Sequence, residues 1–163
     1  MAKRYPLALR NRYGQVCYPL ARAAHHLNDR APMDTEVFMY YKHVLGLRNN
    51  ANVMPGWFVL VAMRCADYPP VDVKDREIIG VLRSGEHFDV CDDFTTADVV
   101  PDGAIAIYNN DGRKDAGILD GWGMFVADII NYNSDAGRIM SNKVRYDRII
   151  NICFPRYSLR EDK

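Results

Sequence analysis

The 163-residue sequence predicts an α+β protein, with an N-terminal arm and a helical hairpin packed on a mostly antiparallel β-sheet, arranged as a sandwich or a partly open barrel. Three observations predict it. Before residue 50 the apolar side chains recur at spacings of three and four, the helical period. Beyond residue 55 they fall instead into short β-prone runs about ten residues apart, the pattern of an antiparallel sheet. Between two of those runs lies Asn109-Asn110-Asp111-Gly112, whose Asp-Gly pair suits a tight hairpin needing positive φ at both central residues.

Taken in order, residues 1–16 alternate Arg and Tyr with Leu7 and Leu9, carry no helical stripe, and read as an extended basic arm. Pro19 fits a first helical position, where its missing N–H costs nothing, and Leu20, Ala23, Ala24 and Leu27 follow as one apolar face. A helix over 18–29, stopped before Pro32, is expected. Asp34 is an acceptable N-cap for a second helix, with Glu36 in its first turn, Val37, Tyr41, Val44 and Leu45 on one face, and Gly46 as its stop. Residues 17–50 thus form the hairpin. From Pro55-Gly56 onward the reading is β-rich, to residue 155. Trp57 to Met63 is uninterrupted and β-prone, which predicts a central strand covered on both faces. Further strands are expected at Glu77–Arg83, Glu86–Cys91, Ala104–Tyr108, Arg113–Leu119, Met124–Ile130 and Val144–Phe154.

Composition narrows the class. With 48% hydrophobic and 26% charged residues the chain is ordinary globular material, long enough to bury roughly 70% of its unfolded surface as one domain spanning 1–163. No apolar run approaches the ~20 residues of a membrane helix, so no membrane partner is expected. The start Met-Ala-Lys-Arg-Tyr-Pro is basic but not followed by an apolar segment, so no cleavable secretory signal is expected. Cys17, Cys65, Cys91 and Cys153 are widely spaced without a Cys-x-x-Cys pair, which points to reduced thiols in the cytoplasm or another reducing compartment.

The formal charge of zero hides a segregation. Residues 1–65 hold nine Lys or Arg against three Asp or Glu, residues 66–135 hold five against fifteen, and residues 136–163 hold seven against three. Both ends are basic and the middle is acidic. Such a layout is neutralised within one molecule, or between the ends and an outside partner, which could be a second copy.

Cys17, just ahead of the expected helix start at Pro19, would have a lowered pKa beside free backbone N–H groups, and His87 or His26 could serve it as base; this is the arrangement of a thiol hydrolase or transferase. No Gly-rich oxyanion signature accompanies it. His25, His26, Asp29 and His43 contain no metal-binding spacing, because adjacent helical residues point about 100° apart, and no metal is expected. His87, Asp89 and Cys91 alternate on one strand face, and His87 and Cys91 stand ~13 Å apart, too far for direct proton transfer. They read as a solvated face. Among Asp89, Asp92, Asp93, Asp98 and Asp102, and at Asn109 to Gly112, no calcium-loop spacing occurs. Neither phosphate-binding glycine loops nor a Gly-x-Ser-x-Gly elbow is present, and no cofactor is expected.

There remain the ends. Arg4, Arg10, Arg12 and Tyr13 at one, and Arg145, Arg148, Arg156 and Tyr157 at the other, interleave guanidinium and phenol groups that suit protein interfaces or nucleic acid. A sequence pI of about 6.9 falls short of the basic balance of a nucleic-acid domain, so protein ranks first. The expectation is a non-catalytic binding or assembly protein, structural or viral-accessory in type, that docks its basic termini on an acidic surface or a neighbouring copy. The alternatives are the Cys17 enzyme and, third, a nucleic-acid-binding protein.

Overall fold

The computed structural model describes residues 10–28, 55–68, 71, 73, 77–92, 94, 100–133 and 138–155. Among the described residues three helices precede the sheet: α1 (Arg10–Asn28), α2 (Trp57–Cys65) and α3 (Ile78–Arg83). Six strands follow: β1 (Phe88–Cys91), β2 (Ile105–Asn110), β3 (Arg113–Trp122), β4 (Val126–Asn133), β5 (Arg138–Arg145) and β6 (Ile149–Pro155). The α+β class holds, with helices packed on an antiparallel sheet that is not closed into a barrel.

Several expected elements are corrected. Residues 10–16 are the first half of α1, not an extended arm, and Pro19 lies inside that helix and not at its start. An interior proline forfeits a ladder hydrogen bond, so local preference places Pro19 at a helix start. The buried stripe Cys17, Leu20, Ala24 and Leu27 crosses that position at spacings of three and four and holds the helix together through packing. The expected second helix near 34–46 and arm residues 1–9 lie outside the described residues.

The run from Trp57 to Met63 is helix α2, not a central strand. All seven of these side chains are buried, so the helix has no wet face and displays no 3.6-residue period; a continuous apolar run is then ambiguous between strand and helix. Its end is well defined. Asp67 takes the left-handed conformation at φ 64, Tyr68 N–H donates to Met63 O at 3.0 Å, and Asp67 N–H donates to Arg64 O at 3.1 Å. This pair of bonds is a Schellman motif with Asp where Gly is usual. Glu77–Arg83 is likewise corrected from strand to the short helix α3, whose Ile78, Ile79, Val81 and Leu82 are buried. The change from helix to sheet therefore falls near residue 87 and not near 55.

The sheet has the order β1-β6-β2-β3-β4-β5 and every pairing is antiparallel. Asp111 (φ 52) and Gly112 (φ 84) make the expected β2–β3 hairpin turn. The expected last strand, Val144–Phe154, is instead the end of β5, a 3-10 turn at Tyr146–Arg148, and β6. Alternate pairing makes β5 and β6 run in the same direction. In a flat sheet four strand spacings would separate them, ~19 Å. The link from Arg145 to Ile149 reaches only about 14 Å. The sheet must therefore curl so that the end of β5 comes near the start of β6.

Both faces of the sheet are buried. Ile105, Ile107, Ala116, Ile118, Ile130 and Cys153 pack under the helices. Ala104, Ala106, Tyr108, Leu119, Ile129, Ile152 and Phe154 form a second cluster with Cys17 and Cys91. Against that second cluster pack Phe94, Trp122 and Tyr146. Gly103 (φ 94) brings the segment ahead of β2 against α1; a Cβ there would lie 1.9 Å from the Cys17 carbonyl oxygen.

Candidate docking surface

The β3–β4 connection is a tight turn from Gly123 to Val126, closed by Gly123 N–H donating to Val126 O at 3.1 Å. A Cβ on Gly123 would stand 2.8 Å from that same oxygen, so the turn requires glycine here. Its two middle residues are Met124 and Phe125, which are 76% and 80% exposed. Two adjacent large apolar side chains in open water are unusual enough to call for a reason.

The turn is braced from beneath. Tyr146, in the 3-10 turn after β5, donates its hydroxyl to the Gly123 carbonyl. Its ring lies edge-on to Trp122 at 4.6 Å, and Trp122 meets Phe94 at 5.8 Å. Burial first, and the nearby Asp128 second, raise the Tyr146 pKa, so the phenol stays a donor at neutral pH. Trp122 Nε1 is buried and meets no hydrogen-bond partner among the described residues. Because the base is fixed, Met124 and Phe125 are presented with little of the ordering cost that a floppy loop pays on binding.

Charges of both signs flank the turn. Arg145 pairs in register with Val126, and its guanidinium donates to Asp147 at 2.7 Å. Next along, Lys143 Nζ donates to Asp128 at 3.0 Å. Both pairs are mostly exposed, and such pairs contribute about 0 to 1 kcal/mol, so either can exchange partners readily.

The residues singled out in the sequence divide as follows. Arg145 flanks the exposed turn. Arg148 donates from Nε to the Asn109 carbonyl at 3.1 Å. Arg10, Arg12 and Tyr13 fall on the first turn of α1, while Arg4, Arg156 and Tyr157 lie outside the described residues. Cys17 is not at a helix start: it sits in mid-helix, completely buried, and burial raises its pKa instead of lowering it. His26 is nine residues further along the same helix, a rise of ~13 Å, beyond proton-transfer reach. His87 rests edge-on to Phe88 at 6.4 Å. Cys91, expected on a solvated face, is buried in the second cluster.

His25 finds a partner that sequence spacing could not show. Its Nε2 lies 2.6 Å from Asp120 of β3, across the α1–sheet boundary. Beside this pair the Asp102 carboxyl is raised in pKa by burial and by Asp120, with His25 opposing. Among the described residues no group of three or more His, Cys, Asp or Glu could hold a metal ion. Neither is any described helix long and apolar enough to cross a membrane.

The exposed pair Met124-Phe125 was missed because Met124 to Ile130 reads as a strand. The flanking Gly121 and Gly123 were the available signal for a turn. Comparisons with protein families, curated proteins and solved structures find no match for this chain.

Proposed function

We propose that this chain is a non-catalytic binding or assembly protein whose docking surface is the braced Met124-Phe125 turn with Arg145 and Tyr146 beside it. The observation that carries this reading is the exposure of two adjacent apolar side chains on a turn fixed by Tyr146 and Trp122. Interfaces are enriched in Met, aromatic residues and Arg, and their energy concentrates in a few apolar anchors. The partner is a protein: the nearby cations already have carboxylates beside them, which favours apolar contact over phosphate binding. None of the four cysteines, all among the described residues, is in a disulfide, which supports a reducing compartment such as the cytoplasm.

The test is photo-cross-linking. A benzophenone amino acid placed at position 124 should give a defined adduct in cells, and the same group at exposed Lys114, in the β2–β3 hairpin, should not. The mass of the adduct reports the partner. Absence of any adduct specific to position 124 would overturn the reading.

A further inference from the structure

We infer that the Asp111-Gly112 turn is a site of spontaneous covalent modification, where the chain cyclises and reopens as isoaspartate, and that Asn109 is the residue that holds this reaction back. Among aspartyl dipeptides Asp-Gly cyclises most readily, because glycine has no side chain to shield the attacking nitrogen. Three such pairs occur in the sequence, at 102–103, 111–112 and 120–121. The fold treats them differently. Gly103 is buried against the Cys17 carbonyl, and its N–H donates to Leu119 O at 2.8 Å. Asp120 is held 2.6 Å from His25, and Gly121 pairs with Asp128 inside the sheet. Of the three pairs only Asp111-Gly112 has both residues exposed, with open space where a Gly112 side chain would stand.

The chemistry needs no partner but water. The Gly112 amide nitrogen attacks Cγ of the protonated Asp111 carboxyl; an N–Cγ bond forms, a Cγ–O bond breaks, and the hydroxyl leaves as water with the amide proton. Water then adds to either carbonyl of the resulting cyclic imide. Opening at the carbonyl beside Cα leaves the chain running through Cγ, which is isoaspartate, at a mass unchanged from the parent. In the folded chain the attacking nitrogen is occupied. Gly112 N–H donates to the side-chain oxygen of Asn109 at 2.8 Å, and Asn109 is itself held by Arg148, whose Nε donates to its carbonyl at 3.1 Å. Attack therefore waits on opening of the tip. Residues 109–114 are all exposed, and beyond Tyr108 β2 pairs with β3 only, so this end of the hairpin opens without disturbing the core.

The test holds the whole folded chain at neutral pH and physiological temperature for weeks. Electron-transfer fragmentation in the mass spectrometer, which separates isoaspartate from aspartate at equal mass, assigns each site. Isoaspartate should accumulate at 111 at least roughly tenfold faster than at 102 or 120, reflecting the difference in local opening. In urea the three rates should converge. Asn109→Ala should raise the rate at 111 roughly two- to tenfold, the range of one hydrogen bond, while Asn109→Asp, which keeps an acceptor oxygen, should stay near the parent. Matched thermal melts establish that both variants fold, and the comparison of the three sites in the parent needs no variant. Equal rates at the three sites in the folded chain, or an Asn109→Ala rate no higher than the parent's, would overturn the inference.

Discussion

The carboxylate of Asp115 accepts the backbone N–H of Gly56 at 3.0 Å, tying the start of β3 to the residue immediately ahead of α2. The same oxygen accepts Ala116 N–H at 2.8 Å, and the nearby Asn131 and Asn110 amides favour the charged form of this carboxylate. Asn131 in turn donates to the buried Tyr108 hydroxyl at 2.9 Å. Removing the carboxylate leaves several donors without an acceptor in a part-buried site. Asp115→Ala should therefore cost about 2 to 3 kcal/mol, read by urea denaturation. A loss within experimental error would show that water replaces the carboxylate freely.

Asp115 also sets a pH dependence. Burial raises its pKa, and the hydrogen bonds from Ala116 and Gly56, with the nearby asparagines, only partly offset this. A carboxyl whose folded pKa lies above its unfolded value holds its proton more tightly when folded. Its contribution to stability is therefore least favourable at neutral pH and grows as pH falls through the folded value toward the ordinary carboxylate range near ~4. The stability of wild type relative to Asp115→Asn, measured from neutrality downward, should rise with acidification. A difference that falls would contradict the assigned direction.

Thiol chemistry separates the four cysteines. Cys65 is exposed, whereas Cys17, Cys91 and Cys153 are buried. Burial pushes the Cys153 thiol up to about 12 and raises Cys17 as well. Iodoacetamide at neutral pH should modify Cys65 first, with the other three reacting only as fast as the protein unfolds. Labelling of Cys17 at a rate matching Cys65, with mass spectrometry to assign the site, would restore the nucleophile reading.

Trp57 opens α2 with its side chain almost wholly buried, its ring 6.3 Å from Phe58 and 5.6 Å from Tyr132. Trp57→Ala should cost about 3 to 5 kcal/mol, whether the segment is helix or strand, since the loss is one of packing. A measured loss below about 1 kcal/mol would mean that the indole is not a core residue.

Gly103 gives a steric test. Its φ of 94 and its approach to the Cys17 carbonyl leave no room for a methyl group, so Gly103→Ala must displace α1 or the segment ahead of β2. Gly112, with open space around it, should tolerate Ala at the smaller cost of a left-handed conformation alone, about 1 kcal/mol. Thermal melts of the pair compare the two. Equal losses would contradict the tight approach at Gly103.

How much of this was legible depends on which physical force decided each element. The Asp111-Gly112 turn and the strands around it were readable because local φ preference and period agreed with the tertiary result. The helix α2 was not readable, because complete burial erases the period that separates helix from strand. Its C-terminal cap uses Asp67 where a glycine would have announced it. The start of α1 was hidden by Pro19, whose local preference lost to packing of the stripe from Cys17 to Leu27. Of the candidate site, Arg145 stood out in the sequence as part of an Arg/Tyr cluster, and Tyr146 is its neighbour in the chain. Their proximity to Met124 and Phe125 depends on strand pairing some twenty residues apart, which no local window contains. The His25–Asp120 contact is longer in range still.

The position of β6 between β1 and β2 bears on how the chain is made. β1 emerges from the ribosome some sixty residues before its partner, and β2 through β5 can assemble as a meander while it waits. Only when residues 149–155 arrive does β6 slot between β1 and the meander and pair with both. Until then the side of β2 away from β3 presents unpaired amides, the template on which nascent chains aggregate. Synthesis halted before Ile149 would thus release a fragment with an unsealed seam, a natural substrate for chaperones and proteases.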